Sequence, residues 1–228
     1  MVKKPTIKKV AMATKAYVQT LIDLKQKIQA AQIKAVFAVN QELLLLYWLI
    51  GKTITERQTL DGWGTSQVER LAQDLQNSFP GMAGFSRSNI FRIKAFYAAY
   101  ELVAQAARQL EDLPIFHIPW FHNVTLLQKI KSADERLWYA QKSIEHNWSR
   151  AALEHWIKSE LYRREGRAVT NFKLTLPESH SSLAQQALKD PYVFDFLTLQ
   201  ADHLERDLED GLIANVQKLL LEMGKGSL

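Results

Sequence analysis

The chain has 228 residues, with 29 Lys+Arg against 24 Asp+Glu and a formal net charge of +5. Hydrophobic residues make up 47% and charged residues 23%, the mix of a globular protein and not of a disordered one. Cysteine is absent, which excludes disulfide scaffolds, zinc–cysteine sites, iron–sulfur ligation and a thiol nucleophile.

Nine glycines and six prolines are roughly half the usual share. Few turns and long elements follow, so the expected fold is all-α, with helix-turn-helix character. Periodicity predicts a helix over 14–35 and a second over about 35–59 with Val36, Val39, Leu43, Leu46, Tyr47 and Ile50 inward. The longest apolar run is Leu43–Ile50, far short of the about 20 residues of a bilayer span. A cytoplasmic protein without a membrane partner is the expectation.

Asp61-Gly62-Trp63-Gly64 is turn chemistry. Ser66 and Glu69 have the spacing of a capping box for the next helix, which Pro80-Gly81 and Gly84 end. Ser86 is placed to cap a helix over Arg87–Tyr100. Together these make a helix, a glycine-bearing break and a second helix. Leu113–Pro119, with two prolines, reads as extended. Helices follow over about Asn123–Lys131, Asp134–His146 and Arg150–Arg164, the last capped by Ser149. Residues 165–181 read as a linker with one extended stretch, Lys189-Asp190-Pro191 as a break, and 201–222 as a final helix.

Charge is uneven. Residues 1–34 carry eight lysines and one acid, and residues 171–228 five bases and nine acids. A basic arm points to an anionic partner. Two helix faces could meet one. Ser88, Arg92, Ala95 and Ala99 lie opposite the apolar side of the Arg87 helix. Its N-terminus offers Arg87, Ser88 and Asn89 to phosphates or base edges. On the Ser149-capped helix, His155, Lys158 and Tyr162 line the polar side, with Arg150 and Arg163 nearby. The first pattern also describes a capped helix whose far face packs on a neighbour, and the second an ordinary solvated face.

No cofactor is expected: glycine-rich phosphate loops, HExxH and GxSxG are absent. Asp202, Glu205 and Glu209 share a helical face but form no complete metal site, so neither a metal nor catalytic residues are assigned.

The strings YWLIGKTI (47–54), GWG (62–64), LAQDLQNSFPGMAGFSRSNIFRIKAFYAAY (71–100) and HIPWFHNVTLLQKI (117–130) precede NWSRAALEHWIKSELYRR (147–164), NFKLTLP (171–177), KDPYVFDFL (189–197) and LERDLEDGLI (204–213). In this order they resemble the bacterial YhcG-like family, which bears domain of unknown function 1016. The resemblance implies a helical, winged-helix-like DNA-binding domain followed by a PD-(D/E)xK nuclease domain. Only the first helix of that nuclease fold is matched, with Glu205 or Glu209 as the one acid that could correspond to a family position. The strands bearing the catalytic Asp and Glu-x-Lys are not present. The expected organisation is a basic arm and helix over 1–34, a DNA-binding-like domain over 35–165, and over 166–228 a linker with the start of a nuclease-like domain. The expected partner is double-stranded DNA, bound without catalysis. The rival is a self-association module using the Leu43–Ile50 helix and the final helix.

Overall fold

The structure is a computed structural model that describes residues 7–165 and 182–197. Among the described residues are nine α-helices and three single 3-10 turns, with no strand. The all-α expectation holds, and the wing implied by the resemblance is not seen among the described residues. The helix expected over 201–222 and the extended stretch expected within 166–181 lie outside them.

The two helices expected over 14–59 are one helix, α1 (Ile7–Leu60), of 54 residues. No glycine or proline stands between Thr6 and Ile50, so nothing interrupts the backbone ladder. What changes near Ala35 is burial. The described side chains up to Gln32 are exposed, whereas Ile33, Phe37, Asn40, Leu44, Tyr47, Gly51 and Ile54 form a buried stripe. Their alternating spacing of four and three is that of one helical face. By length and apolar composition part of α1 could cross a bilayer. In the part of α1 after Gln32, Leu43, Leu44, Tyr47 and Ile54 are packed inside the protein, at most 1% exposed, whereas Tyr17, Leu21, Leu24 and Ile28 before it are exposed. The same burial takes Leu43, Leu44, Tyr47 and Trp48 out of the Leu43–Ile50 association face, leaving Leu45, Leu46 and Ile50 half-buried and Leu49 exposed.

The chain divides into two compact units, 1–45 with 100–190 and 46–99 with 191–228. In the second of these, Gly62 has φ 66°, the left-handed conformation that glycine adopts without strain. The turn leads into α2 (Thr65–Ser78), whose first residue follows Gly64. The capping box differs from expectation: the Gln67 side-chain oxygen accepts from the Gly64 N–H at 2.9 Å, while Glu69 reaches Arg87 instead. A break with a 3-10 turn (Ala83–Phe85) leads to α3 (Arg87–Ala106), six residues longer than expected. Trp48 meets Tyr97 and Phe96 edge-on at 4.7 and 6.0 Å. Near them α1 and α3 cross at Gly51, where an added Cβ would stand 2.7 Å from both the Ile93 carbonyl oxygen and the Tyr97 Cβ.

In the other unit, Leu110–Asp112 and Pro114–Phe116 are 3-10 turns. The stretch expected to be extended therefore turns, with Pro114 supplying the fixed φ at the start of the second. Asn123 Nδ2 donates to the Ile115 carbonyl at 2.8 Å and Asn40 Nδ2 to that of Ile118 at 3.2 Å, tying these turns to the helices. Then come α4 (Trp120–Lys129), α5 (Ala133–Glu145), α6 (Arg150–Lys158), α7 (Leu161–Glu165) and α8 (Ser182–Leu188). The helix expected over Arg150–Arg164 is broken at Glu160, which has φ 53°. The last described helix of the second unit is α9 (Pro191–Leu197), starting at proline after the expected break.

Candidate nucleic-acid interface

The sequence-derived site residues divide between the units. On α3, Arg87 is exposed, but its guanidinium is paired with Glu69 of α2, with Nε at 2.8 Å, and lies 5.3 Å from the Phe91 ring centre. Such a surface pair is worth at most about 1 kcal/mol. Ser88 is exposed and Arg92 half-buried. Asn89 is fully buried, and its Nδ2 donates to the Gly84 carbonyl at 2.8 Å. It secures the turn before α3 and leaves the set of residues able to meet a ligand.

The second set lies on α6 and α7. Serine caps α6 as expected: Ser149 Oγ accepts from the Ala152 N–H at 3.1 Å. Gln186 of α8 adds an acceptor for the Arg150 N–H at 3.0 Å. Two of the orphan donors at this helix start are thereby satisfied within the protein. The Arg150 side chain lies over Phe121 at 5.9 Å and 4.0 Å from Glu154. Arg163 is exposed and paired with Glu160 at 3.1 Å. Tyr162 is turned to packing: its ring meets Trp138 at 5.4 Å, and its N–H donates to Tyr139 Oη at 3.1 Å.

His155 and Lys158 are brought together. With Lys129 of α4, Ala151, Glu154 and Ile157 they line a depression of about 490 Å³. Two lysines against one acid, with the His155 ring as a further polar group, make this a surface where an anion can dock. The sequence reading missed Lys129, because only the packing of α4 against α6 brings it within reach of a residue 26 positions later in the chain.

His122 of α4 is fully buried, and its Nε2–H donates to the Trp148 carbonyl at 3.0 Å. Burial pulls its pKa down to about 4, the carbonyl hydrogen bond opposing and nearby Arg150 assisting. The ring is therefore neutral and anchors the α5–α6 turn, which is also marked by Asn147 at φ 53°.

The DUF1016 N-terminal domain profile matches residues 23–164, and the YhcG PDDEXK nuclease domain profile matches 185–227. The chain belongs to the DUF1016 N-terminal domain family. It is 26% identical to the Escherichia coli (strain K12) protein described as "Putative nuclease YhcG", over 92% of this chain and 64% of that protein. The chain thus spans a little under two thirds of that relative. No solved structure matches it.

Among the described residues no group of three or more His, Asp or Glu stands together that could hold a metal ion. Asp202, Glu205 and Glu209 lie outside the described residues.

Proposed function

We propose that this chain binds double-stranded DNA as the targeting part of a nuclease-family protein. The observation that carries the reading is the basic depression of α4 and α6, lined by Lys129, His155 and Lys158. It occurs in a chain similar to a PDDEXK nuclease domain over 185–227. Neither lysine has an ion-pair partner among the described residues, whereas Arg87, Arg150 and Arg163 each have one. Phosphate oxygens can meet these two lysines without first displacing a carboxylate, and the exposed Lys25, Lys27 and Lys34 of α1 add sequence-independent attraction. Phosphate contacts of this kind position a protein on DNA, and base contacts specify the site.

The test is duplex binding by fluorescence anisotropy. Lys129→Ala and Lys158→Ala should each weaken binding roughly three- to tenfold, and Arg163→Ala by less, since its pair with Glu160 already competes for the charge. Unchanged affinity in both lysine variants would remove the reading.

A second reading, self-association, is favoured by one observation. Tyr17, Leu21, Leu24 and Ile28 of α1 are between 39% and 68% exposed and follow the four-three-four spacing of a coiled-coil seam. Under this reading two copies pair along that seam and not through Leu43–Ile50. Sedimentation of the wild type and of Leu24→Lys decides it: a dimer that the substitution turns into monomer supports it, and a monomeric wild type ends it.

A further inference from the structure

Around the α5–α6 turn, four aromatic rings stand in file. His146 stacks on Trp148 with centroids 5.5 Å apart and planes at 21°. Trp148 stacks on Trp156 at 5.8 Å and 29°. His155 closes the file edge-on against Trp156 at 5.0 Å. The two histidines at the ends are exposed and the two tryptophans half-buried. A packing staple for the turn would keep its rings covered, as Tyr139 and Trp138 nearby are. This file instead leaves ring surface in solvent at both ends.

The file is also held in place. The Trp148 N–H donates to the Ser143 carbonyl at 3.0 Å, and its own carbonyl accepts from buried His122. Ser149, the next residue, caps α6. Trp156 sits on α6 with its carbonyl accepting from Tyr139 Oη at 3.2 Å. At the His155 end the file runs into the depression that Lys129 and Lys158 line. Rigid aromatic rings beside cations are the two components of sites that take unpaired nucleotides: the rings stack on bases and the cations track the backbone.

We propose that the His146–Trp148–Trp156 file is a stacking platform for an unpaired nucleobase, so that the preferred ligand is duplex DNA carrying a short single-stranded extension. The inference rests on the DNA-binding reading above and deepens it. Lys129 and Lys158 hold backbone phosphates at the His155 end, and an unpaired base further along the extension continues the ring stack at His146 or on the open part of Trp148. Stacking is indifferent to base identity, because every base has a π-face.

Three probes separate the contributions: a blunt duplex, the same duplex with an oligothymidine overhang, and the same duplex with an overhang of abasic residues. With the full chain, the thymidine overhang should bind about tenfold tighter than the other two, which should bind alike. His146→Ala, at an exposed position, and Trp148→Leu, which keeps apolar bulk without a π-face, should each abolish that gain and leave blunt-duplex affinity unchanged. The inference is overturned if thymidine and abasic overhangs bind equally, or if the gain survives both substitutions. Binding of the blunt duplex without any overhang gain removes this inference alone. Failure of all three probes to bind removes the DNA-binding reading with it.

Discussion

Single side chains hold the α5–α7 region together, and two of them give direct tests. Tyr139 Oη donates to the Trp156 carbonyl at 3.2 Å and accepts from the Tyr162 N–H at 3.1 Å, so one buried hydroxyl satisfies both sides of the break at Glu160. Tyr139→Phe leaves the Tyr162 N–H without this acceptor, while the Trp156 carbonyl keeps Ser159 Oγ as a donor at 3.1 Å, and should cost about 1–2 kcal/mol in urea unfolding. His122 carries a pH signature. Its folded pKa of about 4 lies below the ordinary 6.5, so the unfolded chain takes up a proton at a pH where the folded chain does not. The stability that follows is complete above the ordinary value and is lost as pH falls through that interval, by about 3 kcal/mol at most. Urea unfolding across that range should show the loss. His122→Gln, which keeps a donor for the Trp148 carbonyl, should flatten it.

At the scale of elements, α1 and α3 approach closely at Gly51. A methyl group there meets a backbone carbonyl and a Cβ, neither of which can rotate away. Gly51→Ala should therefore destabilise the chain by about 1–3 kcal/mol, read as a lower unfolding midpoint, even though alanine is the better helix former. The sequence shows why such helices exist but less well where they end. Ser149 as a cap and the Asn147-Trp148 break are local signals, and each is realised at the expected position, whereas of the inward residues expected on α1 only Leu43 and Tyr47 are buried and Val36, Val39, Leu46 and Ile50 are half-buried. The continuity of α1 through Ala35 is also local, yet a change from exposed to buried residues imitates a boundary. The break at Glu160 has no glycine or proline to mark it, and depends on Tyr139, more than twenty residues away in sequence. Asn89 shows the same limit for function. An asparagine in the first turn of a helix suits base contact or turn stabilisation equally well, and only the position of the Gly84 carbonyl decides between them.

For the whole molecule, the site residues legible from the sequence are those that share a helix, such as His155 and Lys158. Lys129 joins them through tertiary packing, and the aromatic file through the fold of one turn. The dense string HNWSRAALEHW (146–156) is the available sign of that file, since it places two histidines and two tryptophans on either side of a helix start. The central claim is that this face binds DNA through its phosphates. Its most direct test is the salt dependence of duplex affinity for the wild type and for the Lys129→Ala/Lys158→Ala double variant. Each phosphate contact contributes about 0.9 to the slope of log affinity against log salt. Loss of two contacts should flatten the slope by about 1.8 and lower affinity most at low salt. Two parallel lines, with the double variant as salt-sensitive as the wild type, would contradict the account.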